Sequence, residues 1–212
     1  MLTTSSKSPS RLSTDARALL EGLIARPLLH ARFLNTLSLL EHIGCRKILL
    51  SHKPGALRED TLRHLAEEAR HAHFFRRASE RLARRPLDYG LEGTLAPWAA
   101  RLYFERLDAS VTRALGESRP LAYRYVTLAV ELRAQWLYEL YEEALRASKS
   151  TLSLRSVLAE ENAHLRQMNA ALEAADPRYA SRRDAFADLE SSLFSRWLEA
   201  MRTAGEVPVA LL

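Results

Sequence analysis

Glu67-Glu68-Ala69-Arg70-His71 and Glu160-Glu161-Asn162-Ala163-His164 are two copies of one pattern, a Glu-x-x-His pair led by a second acid. A lone glutamate stands a similar distance before each copy, Glu41 before the first and Glu131 before the second. At about 3.6 residues per turn, the two members of each pair lie one above the other on a helix. Glutamates from two helices and Glu-x-x-His pairs from two others form the donor set of a dinuclear metal centre inside a four-helix bundle. Four carboxylates and two imidazoles suit two Fe²⁺ or Mn²⁺ ions.

That reading requires Glu41, Glu68, His71, Glu131, Glu161 and His164 to face inward. On its helix Glu41 falls within an apolar arc of Leu34, Leu37, Gly44, Cys45 and Ile48, with Arg32, Arg46 and Lys47 on other faces. Glu68 and His71 share an arc with Leu65, Ala72, Phe75 and Leu82, away from Arg63, Arg70 and Arg77. Glu161 and His164 line up with Leu154, Val157, Leu158, Leu165, Met168 and Leu172, while Arg155, Asn162 and Arg166 take the outside. Carboxylates converging in an apolar interior raise one another's pKa and protonate unless cations neutralise them. Two divalent ions would do so.

On the third helix two glutamates compete. Glu131 lies at the edge of the arc of Thr127, Val130, Ala134, Leu137, Tyr138 and Tyr141, whereas Glu139 falls among Gln135, Glu143 and Arg146. Hairpin lengths point the other way. Glu41 and Glu68 are nearly equidistant from the Lys53-Pro54-Gly55 turn, but the arms from the turn at Ser148 to Thr151 to Glu131 and Glu161 are unequal. Glu139 would balance them better. Facing puts Glu131 first, with Glu139 as the alternative.

The rest of the chain fits an all-α domain. Its 212 residues are 47% hydrophobic, enough for a sizeable core, and its seven glycines argue against a β-rich fold. The single cysteine, Cys45, excludes an intrachain disulfide and a Cys-x-x-Cys site. The first residues lack the apolar core of a signal peptide, and no run approaches a membrane span, so a cytoplasmic protein is expected. We expect a disordered N-terminus over 1–13, one helical domain over 14–205 and a tail over 206–212. A short helix from Thr14 to Ala25 is expected behind the Ser-Thr-Asp cap. Bundle helices follow at 28–51, 57–84, 120–147 and 152–174. A long crossover over 85–118 carries an extra helix from Trp98 to Leu115, and a last helix runs from Ser181 to Gly205.

Residues 28–175 resemble the ferritin-like di-iron carboxylate superfamily, which includes ribonucleotide reductase small subunits, multicomponent monooxygenases, rubrerythrins, aldehyde-deformylating oxygenases and certain tRNA hydroxylases. The acid-Glu-x-Arg-His form of residues 67–71 matches its oxygenase branches, and residues 160–164 keep the leading acid but lose the arginine. The resemblance implies a ferritin-like four-helix bundle in which Glu67 and Glu160 hold the imidazole N–H of the opposite ligand. Within it, the absent Cys-x-x-Cys pairs argue against a rubrerythrin, the second Glu-x-x-His against ferritin storage, and Phe75 against a reductase radical tyrosine.

An oxygenase or oxidase is therefore expected, with two Fe²⁺/Fe³⁺ or Mn ions activating O₂ to oxidise an organic substrate. Phe75, Ala72, Leu37, Leu34 and Met168 are expected beside the metals, a lining suited to a small apolar or aromatic group. With no flavin or iron–sulfur motif in the chain, electrons would come from an external reductase. The alternatives are a tRNA-modifying hydroxylase, a dimanganese catalase or peroxide-scavenging protein, and a non-catalytic metal-binding oligomerisation domain. The formal charge of +5 admits an acidic partner such as tRNA or a carrier protein, although a solvated arginine-rich surface explains it as well. Phe186, Leu189, Leu193, Phe194 and Trp197, with the tail from Val207 to Leu212, could form a homodimer contact or pack on the bundle. His64, one turn before Glu68, reads as a partner just outside the ligands or as a hydrogen-bonded core histidine. His73 reads as solvated; Cys45 and Tyr138, each on a face with a proposed ligand, read first as packing residues, with an electron relay or channel gate as the alternative.

Overall fold

The computed structural model describes residues 10–51, 57–116 and 118–206, which hold seven helices and no strand. They are α1 (Arg11–Ile24), α2 (Pro27–Ser51), α3 (Glu59–Ala83), α4 (Pro97–Leu115), α5 (Arg119–Ala147), α6 (Arg155–Ala175) and α7 (Tyr179–Glu206). Proline in the first turn starts α2, α4 and α5, where its missing N–H has no helical partner to lose. The expected disorder over 1–13, the Lys53-Pro54-Gly55 turn and the C-terminal tail lie wholly or largely outside the described residues. Where 1–13 can be followed, the expectation fails. Ser10 caps α1 by accepting the Ser13 N–H at 3.3 Å, so the helix starts at Arg11 and Ser13, Thr14 and Asp15 sit inside its first turns.

α2 and α3 pack antiparallel. Ser38 Oγ donates to the Ala72 carbonyl at 2.7 Å and Ser79 Oγ to the Ala31 carbonyl at 2.8 Å, partner numbers running in opposite directions. α5 and α6 pair the same way, through Gln135 Nε2 to Asn162 Oδ1 at 2.6 Å and the Leu154 N–H to Glu142 at 2.7 Å. Glu142 lies more than a turn inside the end of α5. Its carboxylate captures the Leu154 N–H, and α6 begins at Arg155 rather than Leu152.

Arg32, expected on an outer face, is buried. The crossover segment lies over the first half of α2 and offers its carbonyls to that face. Arg32 Nη2 donates to Leu91 and Thr94 carbonyls at 2.8 Å each, and Asn35 Nδ2 to those of Asp88 at 2.6 Å and Gly93 at 2.9 Å. Helical projection marks a face but not the segment that will cover it. The apolar face of α7 is likewise used within the chain. Phe194 and Trp197 are buried, with Phe194 edge-on to Trp136 of α5 and Trp197 stacked on Tyr103 of α4. Burying such a side chain contributes about 1.5–3 kcal/mol. Among the described residues, no helix is long and apolar enough to cross a membrane.

Candidate metal centre

Glu41 of α2, Glu68 and His71 of α3, Glu131 of α5, and Glu161 and His164 of α6 meet in the interior, none more than 9% exposed. Glu139 points into solvent and accepts from Gln135 Nε2 at 3.3 Å, outside this cluster. Two groups of donor atoms form, each within 4.8 Å of one another. One holds Glu41, Glu68, His71 and Glu161; the other holds Glu131, His164 and His64, whose membership projection alone did not indicate. Glu161 stands between them, with Oε1 3.0 Å from His71 Nδ1 and Oε2 3.9 Å from His164 Nδ1.

Each outer imidazole nitrogen is held across the α3–α6 interface. His71 Nε2 lies 2.9 Å from Glu160 Oε2, and His164 Nε2 hydrogen-bonds Glu67. This is the crossed pairing that the resemblance implies for the two leading acids. With its outer nitrogen engaged, each ring aims Nδ1 at the other donors, and neither Nδ1 has a hydrogen-bond partner. His64 Nε2 and Glu161 Oε2 are also buried without one. Buried polar atoms are nearly always satisfied, so four orphans around one point mark a missing partner. A pair of divalent cations fits all four. Gly44, one turn after Glu41, supports the fit, since a Cβ there would run into Glu68 Oε2. The glycine leaves space for the Glu68 carboxylate.

The electrostatics agree. Burial first, and the Glu131 charge second, push Glu68 and Glu161 well above the usual carboxylate range. Burial also raises Glu41, against the opposing pull of His71. Burial acts on Glu131 too but is outweighed by the imidazoles of His64 and His164, which bring its carboxyl down to about 2. Without cations, three of the four acids tend to hold protons.

Tyr138 was expected to pack, yet its hydroxyl donates to Glu41 Oε1. Only the interior-facing position of Tyr138 signals this in the sequence. Its ring meets Phe75, centroids 5.4 Å apart, so Phe75 is a wall behind the ligands. His73 is exposed and Cys45 half-buried. Two cavities touch the cluster. One of about 80 Å³ is mainly apolar, lined by residues including Leu37, Leu40, Val126, Val130 and Leu137, and reaches Glu41, Glu68 and Glu131. The other, about 440 Å³, reaches His64 and His164 past Met168 and carries Arg58, Arg63 and Arg124. Of the five residues expected beside the metals, Leu37 and Met168 line these spaces, whereas Leu34, Ala72 and Phe75 line neither. No family model, curated protein or solved structure matches the chain.

Proposed function

We propose that the chain is a di-iron oxidoreductase of the ferritin-like kind, with α2, α3, α5 and α6 as its bundle and α4 as the crossover helix. The observation that carries this reading is the pair of donor groups sharing the Glu161 carboxylate. A single structural ion would need one group, not two facing across a common acid. When bound, the ion pair would supply the redox electrons and Lewis acidity with which O₂ is reduced and an organic substrate oxidised. The chain's own part is to hold and orient. Glu67 and Glu160 fix the ring tautomers, Tyr138 fixes Glu41, and the apolar lining excludes water from the donors. A cavity of about 80 Å³ suits a small apolar or aromatic group, and electrons would come from an external donor.

Metal content of the purified chain beside a Glu68→Ala, Glu161→Ala variant, followed by anaerobic Fe²⁺ loading and exposure to O₂, tests the proposal. Two ions per chain, lost in the variant, with O₂ uptake on mixing, support it. Bound metal without O₂ uptake indicates a non-catalytic bundle, and rapid peroxide breakdown by the Mn²⁺-loaded chain indicates a catalase. Failure to bind metal after loading returns the chain to a helical interaction domain.

A second reading adds an anionic group to the substrate. Arg58, Arg63 and Arg124 stand around the larger cavity, whose floor includes the two histidines of the second donor group. A carboxylate or phosphate could be held there while an apolar part reaches the centre, and tRNA or a carrier protein would supply such a group. Salt-sensitive retention of RNA would favour the tRNA-modifying branch.

A further inference from the structure

We infer that His64 is itself a metal ligand, so that the centre is built from three imidazoles and four carboxylates and its two ions are unequal. The inference rests on the dinuclear reading above and names a donor that the paired Glu-x-x-His pattern does not contain. His64, Glu68 and His71 follow one another at four- and three-residue steps on α3 and so share one inward stripe. Nε2 of His64 lies 3.2 Å from Glu68 Oε1 and 3.4 Å from Glu131 Oε1, yet it is buried and makes a hydrogen bond to neither. Two donors bound at about 2.1 Å and at right angles on one ion stand about 3.0 Å apart, which is near this spacing. A donor atom of His64 is also within 4.8 Å of those offered by Glu131 and His164, so one ion can touch all three.

The competing role is an imidazolium sitting between Glu68 and Glu131, a positive charge in place of a metal. Geometry disfavours it. A protonated ring at this position would donate its Nε2–H to one of the two acids, and Nε2 has no hydrogen-bond partner. The ring is packed instead against the other histidine of its group, with centroids 4.5 Å apart from His164. Two cationic rings would repel one another, whereas two neutral rings that donate to one ion converge. The first ion would then have one imidazole, from His71, and the second two, from His64 and His164. The second is the ion beneath the cavity of about 440 Å³. An added neutral imidazole occupies a position there that would otherwise stay open to solvent.

The test is anaerobic Mn²⁺ binding by equilibrium dialysis, comparing wild type with His64→Gln, together with the crystal structure of the Mn²⁺-loaded wild type. Loss of a partner outside the ligands weakens a site about 10- to 100-fold, so loss of a ligand should cost at least about tenfold on one ion and leave the other little changed. In the loaded structure His64 Nε2 should lie at bonding distance from the second ion. Two ions bound by His64→Gln as tightly as by wild type, or more tightly, as removal of an imidazolium would produce, overturn the assignment and leave the dinuclear reading standing. A wild type that binds no Mn²⁺ overturns both. If His64→Gln does not fold, the loaded wild-type structure decides alone, a ring turned away from the ion being the negative result.

Discussion

Nε2 of His71 and Nη2 of Arg70 converge on one atom, Oε2 of Glu160, from 2.9 and 3.1 Å. The relationship explains why an arginine precedes the histidine on α3. Arg70 holds the acid that holds the ring, across the α3–α6 interface. The mirror position on α6 is Ala163, and Glu67 has Arg70 at 3.9 Å, a longer contact, as its cation. Glu160→Ala should therefore free the His71 ring and weaken metal binding about 10- to 100-fold, while two ions still bind at saturation. Titration with Mn²⁺ under anaerobic conditions measures this, and an unchanged affinity would show that the carboxylate does not position the ring.

Gly44 separates stability from binding. In a helix interior glycine costs about 0.8–1 kcal/mol relative to alanine, so Gly44→Ala should stabilise the metal-free chain by about that much. The added Cβ, however, takes the space of Glu68 Oε2, and the carboxylate must swing away from the donor group. Thermal melting in chelator should rise and metal affinity should fall in the same variant. A change of the same sign in both would contradict the assignment of that space to Glu68.

Much of this arrangement is legible in residue order because facing is a local property. The arcs around Glu41, around Glu68 and His71, and around Glu161 and His164 depend only on each helix's own periodicity, and those residues do meet. What projection does not reach is set by a second element. Arg32 is buried because crossover carbonyls happen to lie over it, and His64 faces Glu131 because α5 arrives at that depth. Tyr138 finds Glu41 across the interior rather than along its own helix. The choice between Glu131 and Glu139 turns on the same point. Hairpin lengths mislead there, because Glu131 reaches His64 and His164 although the arms stay unequal, α5 ending at Ala147 and α6 beginning at Arg155.

Arg133 ties α5 to α7 through a buried pair. Its Nε and Nη2 reach Glu190 at 3.0 and 2.6 Å, Tyr103 donates to the same carboxylate at 2.7 Å, and the guanidinium lies over the rings of Trp136 and Phe194. Removing one partner of such a pair leaves the other charge buried and uncompensated. Arg133→Ala should cost about 3–5 kcal/mol in urea unfolding, and Arg133→Ala with Glu190→Gln distinctly less than the sum of the singles. Strict additivity in that cycle would mean that the two groups do not interact.

The pH dependence of stability should reverse sign with metal. In the metal-free chain, burial first and then the Glu131 charge hold Glu68 and Glu161 above their ordinary value. An acid whose folded pKa is raised stabilises the fold below its unfolded value, near 4.5, and loses that contribution as pH rises through the folded value. Stability in chelator should thus fall from mildly acidic to mildly alkaline pH. Glu68→Gln with Glu161→Gln should flatten the slope, since neither amide titrates. With Mn²⁺ in excess the trend should invert, because the donors bind metal only when deprotonated and stabilisation grows with affinity. Urea unfolding across that range, with chelator and with Mn²⁺, reads both slopes; parallel slopes would mean that the titrating carboxylates are not the groups that take the metal.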